Sequence, residues 1–205
     1  MGEYQHESWD SFDEILQKCF GMLETGVSDR HDPLHAPVMF TVENNAPQLR
    51  TVIFRKFDPA SRTLIFHTDF RTEKVAQIQN NPVVSWLFYH PERKVQLRII
   101  SDATIHSDDS IADERWAASQ LMSRRCYCIP MAPGTLSDAP ESGLPEYLQL
   151  RRPTESESNE LGRANFCAIS CQIREMDWLY LAAKGNRRAK FEWKNEHLHT
   201  TWLIP

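Results

Sequence analysis

Residues 38–68 read Val-Met-Phe-Thr-Val-Glu-Asn-Asn-Ala-Pro-Gln-Leu-Arg-Thr-Val-Ile-Phe-Arg-Lys-Phe-Asp-Pro-Ala-Ser-Arg-Thr-Leu-Ile-Phe-His-Thr. Three runs rich in β-branched and aromatic residues, 38–42, 49–57 and 63–68, are separated by Asn44-Asn45 and by Asp58-Pro59, both ready turn formers. Short extended runs joined by tight turns predict a β-meander.

Toward the C-terminus, residues 72–79 carry Val75 and Ile78 on one side and stop at Asn80-Asn81-Pro82. This predicts a short helix ended before a proline. Residues 83–89 and 95–106 alternate as a hairpin across His90-Pro91-Glu92-Arg93. A helix is expected over 110–125, with Ile111, Trp116, Leu121 and Met122 as its apolar members. Residues 130–160 hold five prolines and the run Glu155-Ser-Glu-Ser-Asn-Glu160, which predicts a loop, mobile or acting as a lid. Extended runs return at 166–173, 178–181, 191–193 and 199–203, the last three parted by Lys184-Gly185-Asn186 and Asn195-Glu196.

Toward the N-terminus, Ser11-Phe-Asp-Glu14 is a capping box, followed at helical spacing by Ile15, Leu16, Cys19, Phe20 and Leu23. About seven strands with few, short helices predict one mainly β domain with flanking helices (α+β) over 1–205, closed as a barrel because closure removes unpaired edges. No internal repeat is visible.

Composition narrows the function. A chain of 205 residues with 41% hydrophobic residues can bury a core of its own. The formal net charge of -5 provides no general field for nucleic acid or anionic lipid. No stretch has the length of an apolar membrane span. Residues 1–10 lack a basic and an apolar leader region, and His6 breaks the myristoylation pattern after Gly2, so a cytoplasmic protein is expected. The odd count of five cysteines, with Cys126-Tyr127-Cys128 and Cys167 and Cys171 lacking metal spacing, reads as reduced thiols. His31 and His35 flank Pro33, which disfavours a chelating helix, and His197 and His199 read as surface residues. Metal ligation is not expected. Trp86, Trp116, Trp178 and Trp193 read as core or interface aromatics, and Arg124-Arg125 as a helix-end pair or site residues.

The chemistry lies between Arg50 and Arg98. Arg50-Thr-Val-Ile-Phe-Arg55 places two arginines around apolar residues, and Phe66-His67-Thr68-Asp69 leads to Arg71 and Lys74 beside a helix start. Gln96 and Arg98 share one face of a strand. Arginine forks and a helix N-terminus suit a phosphate monoester. There is neither a Walker loop nor a dinucleotide fingerprint. From these residues alone, a nucleotide pocket competes with solvated strand ends on an ordinary barrel, and the latter is the default.

The same segments, with Phe66-His67-Thr68-Asp69-Phe-Arg71-Thr-Glu-Lys74, Asn80-Asn81-Pro82 and Val95-Gln96-Leu97-Arg98, resemble the pyridoxamine 5'-phosphate oxidase family and its FMN-binding relatives, from about Pro37 to Arg125 and again from about Asp177. The resemblance implies a split β-barrel, FMN as cofactor, and a homodimer with FMN in the cleft between subunits. It places Arg50 on the FMN phosphate and Thr51, Val52, Ile53 and Arg55 along the flavin-binding strand. His67 and Thr68 fall near the ring or ribityl chain, Arg71 and Lys74 on phosphate and ribityl, and Gln96 on the ring. Tyr180 stands where the family has a tryptophan and Lys190 where it has an arginine, both reaching the neighbouring flavin. Arg55 replaces a family lysine, and Asn186-Arg187-Arg188 replaces an Arg-x-His pair, leaving Arg187 and Arg188 as candidate holders of a small-molecule substrate. The resemblance implies an FMN-dependent oxidoreductase; no catalytic residue is assigned. An FMN carrier or redox sensor is the rival, and a deazaflavin or haem barrel the third reading.

Overall fold

The Ser11 side chain accepts the Glu14 amide from an extended backbone, so α1 (Phe12–Ser28) starts where the capping pattern puts it. Helical periodicity turns Ile15, Cys19, Met22 and Leu23 to one buried side. The computed structural model describes residues 9–195 and 197–205. The readings made on residues 1–8 and on Glu196 lie outside them. Strands β1 (Val38–Glu43), β2 (Ala46–Thr51), β3 (Phe54–Asp58) and β4 (Thr63–Asp69) follow. The 49–57 run is two strands rather than one. β2 pairs with β1 and β3 with β4, so the chain changes partner at Val52-Ile53. There the Val52 amide donates to the Pro37 carbonyl at 3.1 Å. Helix α2 (Glu73–Asn80) stops short of Pro82, and β5 (Val83–His90) and β6 (Val95–His106) form the expected hairpin.

Three expectations change downstream. The helix expected over 110–125 is broken into α3 (Ser110–Ala117) and α4 (Leu121–Arg124) because Gln120 is extended, with ψ 143°. The break rotates the second piece. Ala112, Trp116 and Arg124 are buried, while Ile111 and Met122 face outward. Residues 130–160 contain α5 (Glu146–Gln149) and α6 (Glu155–Gly162). The Ser/Glu run is helical because Thr154 and Glu157 cap it reciprocally. Finally, the two runs at 166–173 and 178–181 are one strand, β7 (Phe166–Tyr180), followed by β8 (Arg187–Lys194) and β9 (His197–Leu203).

β7 organises the sheet. One of its edges pairs with β6 throughout, while the other pairs with β4 in its first half and with β8 in its second. Between the halves the register slips, with Ile100 opposite Glu175 and Ser101 opposite Ile173, so Arg174 bulges. The bulge keeps Ile173 and Met176 both in the core and bends the strand between its two partners. The path β2-β1-β5-β6-β7-β4-β3, with β8 and β9 branching from β7, does not close. Closure was expected to hide the edges; here α1 packs across β3, β8 and β9 instead. Phe20 packs on Phe57 (5.1 Å) and Trp193 (6.5 Å), and Phe12 on Phe191 (6.0 Å) and Trp202 (4.6 Å). A second apolar cluster, Ile65, Trp116, Tyr127, Phe166 and Ala168, fills the other side of β4 and β7. No helix among the described residues is long and apolar enough to cross a membrane.

Candidate functional site

Strand alternation sends neighbouring residues of β4 to opposite sides, and the site divides accordingly. On the core side, Thr68 accepts a hydrogen bond from the Lys74 ammonium at 3.0 Å. Arg50, from β2, donates through Nη1 to Thr41 Oγ1 (2.5 Å) and through Nη2 to Gln77 Oε1 (3.1 Å). These two bonds leave three of its five N–H donors for a ligand. Burial lowers the pKa of the Arg50 guanidinium, against Glu73 and Glu43, which raise it. Lys74 is lowered too, first by burial and then by the Arg50 charge. Two cations are thus held within electrostatic reach of each other. Beside them α2 begins at Thr72, whose hydroxyl goes to the Asp69 carbonyl (2.7 Å) and does not cap the helix. First-turn amides and two cations form a donor set that fits a phosphate dianion.

Arg71 points elsewhere. Its Nε and Nη2 grip both oxygens of Asp69 (3.0 and 2.8 Å), and Nη2 and Nη1 donate to the carbonyls of Ile129 and Pro130, each at 2.9 Å. It ties the segment after the Arg125–Cys128 turn to the end of β4. Val52 is buried and Ile53 and Thr51 are exposed at the β2–β3 strand change. Gln96 lies half-buried on the outward face of β6, opposite Tyr89 and Leu179. Tyr180 stacks on Trp178 (6.2 Å) and lies 6.0 Å from Trp9, while Lys190 pairs with Glu175 (3.0 Å) and Glu192 (3.3 Å). These last two belong to the β7–β8 arm, apart from β2, β4 and α2. Arg187 donates to Asp10 (2.7 Å), and Arg188 and Arg98 share Asp177 at 2.7 and 2.5 Å.

The other side of β4 carries His67. Its pKa falls to about 3, through burial first and then the charges of Arg55 and Arg115, so the imidazole is neutral. Its Nε2 is buried without a hydrogen-bond partner, and its ring meets Phe166 edge-on at 4.9 Å. Arg55 stands at a register shift between β3 and β4, and is exposed. Nearby, His106 bonds Asp109 (2.7 Å) and Ser170 (2.9 Å), a relay-like order of groups. Ser170 sits mid-strand between β4 and β6, so its amides belong to the ladders and cannot form an oxyanion hole. Asp109 also caps α3 through Ala112. This cluster anchors α3. Arg124 is likewise structural: it lies over Trp116 at 4.8 Å and bonds Glu155 and the carbonyls of Trp116 and Ala117.

Sequence reasoning missed Thr41, Gln77 and Asp69. Thr41 and Gln77 meet across 36 positions and carried no local signal. Asp69, two residues before Arg71, forms a short Asp-x-Arg pattern that was open to reading.

Residues 17–107 match the family described as pyridoxamine 5'-phosphate oxidase, FMN-binding domain. That span holds Arg50, Thr68, Lys74 and Gln96. Pyridoxine/pyridoxamine 5'-phosphate oxidase 2 of Arabidopsis thaliana is 28% identical over 156 residues, covering 72% of this chain and 73% of the relative. Among solved structures, a pyridoxamine 5'-phosphate oxidase-related, FMN binding protein from Nostoc punctiforme PCC 73102 aligns with TM-score 0.70 and 24% identity, over 98% of this chain and 100% of that one. PhzG from Burkholderia lata 383, solved with tetrahydrophenazine-1-carboxylic acid, aligns with TM-score 0.70 and 20% identity, over 93% and 91%. The two structures speak for a split-barrel fold, and over residues 17–107 the sequence is similar to the FMN-binding domain of the pyridoxamine 5'-phosphate oxidase family.

Proposed function

We propose that this protein binds FMN and acts as an oxidoreductase on a small molecule, phosphorylated or not, as a homodimer that holds the cofactor between its two copies. The observation that carries the proposal is the pairing of Arg50 with Lys74 beside Thr68 and the α2 start. A compact dianion, as on the end of FMN, complements these donors and favours the charged form of Lys74, which burial and the Arg50 charge lower. When bound, FMN supplies hydride acceptance at its ring. The chain's part is to hold the phosphate and to present Thr68 and the Val52-Ile53 backbone beside it. His67 is kept neutral against the charges of Arg55 and Arg115, so it offers no positive charge near neutral pH.

A second copy has a surface to meet. Opposed residues share a face, and the register Leu49, Phe40, Ser85, Ile100 runs across β2, β1, β5 and β6. On that outward face Val42, Leu49 and Tyr89 are 42, 55 and 45% exposed, beside half-buried Phe40, Leu87 and Ile100. An apolar sheet face of this kind suits a partner, and Gln96 lies on it.

Turnover of pyridoxamine 5'-phosphate should be poor. Lysine is replaced by Arg55, a planar fork in place of a compact charge. Arg187 and Arg188, at the altered Arg-x-His position, are engaged by Asp10 and Asp177. The test begins with the absorption spectrum of the purified protein and chromatography of the released flavin. FMN bands support the proposal; a protein that neither carries nor takes up flavin refutes it. Hydrogen peroxide release with pyridoxamine and pyridoxine phosphates, beside an authentic oxidase, then tests substrate choice.

A further inference from the structure

Gln77 looks from sequence like an ordinary polar residue of a short surface helix, yet it is 3% exposed. Its Oε1 accepts from Thr41 Oγ1 (2.5 Å) and from Arg50 Nη2 (3.1 Å), while its Nε2 donates to Glu43 Oε2 (3.2 Å). Thr41 Oγ1 in turn accepts from Arg50 Nη1 at 2.5 Å. Both terminal nitrogens of Arg50 are therefore fixed by one small ring of contacts.

The polarity of that ring matters. A carboxylate accepts hydrogen bonds and donates none, so Glu43 selects the NH2 end of the Gln77 amide and turns Oε1 toward Arg50. The oxygen that steers the guanidinium is neutral. A carboxylate at position 77 would steer it as well, but would also neutralise its charge. An arginine on an edge strand otherwise has many rotamers, and freezing it in advance lowers the cost of binding.

We propose that Gln77, with Thr41, is a positioning residue that aims Arg50 at the cofactor phosphate without itself adding a negative charge against the guanidinium. This rests on the FMN reading above. The test uses the full chain stripped of flavin, and the ratio of riboflavin to FMN dissociation constants by flavin fluorescence. A merely structural residue would move both constants together. Gln77→Leu should lower the ratio by roughly tenfold to a hundredfold, as expected for a misaimed charge-assisted contact, and leave riboflavin affinity within about twofold. Gln77→Glu should also lower it, by neutralising Arg50. Adding Gln77→Leu to Arg50→Met should lower it no further, because the two act as a unit. If Gln77→Leu does not fold, Thr41→Val removes only the bridging hydroxyl and should shift the ratio in the same direction. A wild type that discriminates, combined with Gln77 and Thr41 variants that keep the full ratio or weaken both flavins alike, overturns the positioning role alone. A wild type that binds both flavins equally removes the phosphate site and, with it, the role of Gln77.

Discussion

Arg71 is the cation on which family resemblance and geometry give different expectations, and Arg71→Ala separates them. The guanidinium supplies four hydrogen bonds: two to Asp69 and one each to the carbonyls of Ile129 and Pro130. Asp69 is 7% exposed, and in the variant it keeps only the backbone amide of residue 71, at 2.9 Å, from this set. Removing one partner of a buried ion pair costs about 3–5 kcal/mol. The Arg71 side chain is 24% exposed, so water would solvate part of the orphaned carboxylate and a loss of about 2–3 kcal/mol is expected. With a urea m-value of about 2–3 kcal/mol per M, the midpoint should fall by about 1 M. Adding Asp69→Asn should recover part of the loss by removing the stranded charge. Trp fluorescence during urea denaturation gives the midpoint, and flavin titration gives the affinities. Geometry expects the riboflavin-to-FMN ratio to be unchanged. A variant of normal stability that loses FMN affinity while keeping riboflavin affinity would make Arg71 a phosphate ligand and refute the reasoning.

Three further outcomes follow from the structure. The folded pKa of His67, about 3, lies below its ordinary 6.5, so the unfolded chain binds more protons between these values and stability falls as pH drops through that window. The loss is up to about 1.4 kcal/mol per pH unit, and His67→Gln should flatten the slope measured by denaturation between pH 6 and pH 4; an unchanged slope would oppose it. In the homodimer proposed above, Leu49→Glu on the outward apolar face should give monomers by light scattering where the unaltered chain is dimeric, and a dimer that persists would place the interface elsewhere. Gly26→Ala would bring a Cβ to 2.8 Å from Leu34 Cβ and 3.1 Å from its backbone carbon, and should lower stability by about 1–3 kcal/mol in thermal melts; an unchanged melting temperature would mean that the 33–35 turn yields.

Local signals carried much of the fold. The cap at Ser11, the alternation through 83–106 and the proline after α2 each act within a few residues, so they could be read one at a time. The misreadings involve partners. Val52-Ile53 continues an extended run in sequence, and only the exchange of β1 for β4 as neighbour breaks it. Arg174 looked like part of a gap between two strands because a bulge disturbs the alternation that marks a continuous one. The number of edges favours closure, but a helix can also pack along a sheet edge, as α1 does against β3, β8 and β9. The Thr154 and Glu157 capping box was legible, but the prolines around it drew the reading toward a loop.

The candidate site divides in the same way. Arg50, Thr68 and Lys74 announced themselves by residue type and by the helix start, and the fold brings them together. Arg71 has the same residue type, and the fold sets it on Asp69 and on the carbonyls of Ile129 and Pro130, contacts that residue type alone does not announce.

The most direct measurement is a fluorescence titration of the flavin-free protein with FMN and with riboflavin, repeated for Lys74→Met. Arg50 and Lys74 acting on a terminal phosphate should make FMN bind about a hundredfold tighter or more, since charge-assisted contacts contribute about 1.5–3 kcal/mol each. In Lys74→Met that preference should fall by at least about tenfold while riboflavin affinity holds. Equal affinities for the two flavins in the wild type, or a preference untouched by Lys74→Met, would contradict a phosphate cradle at the start of α2.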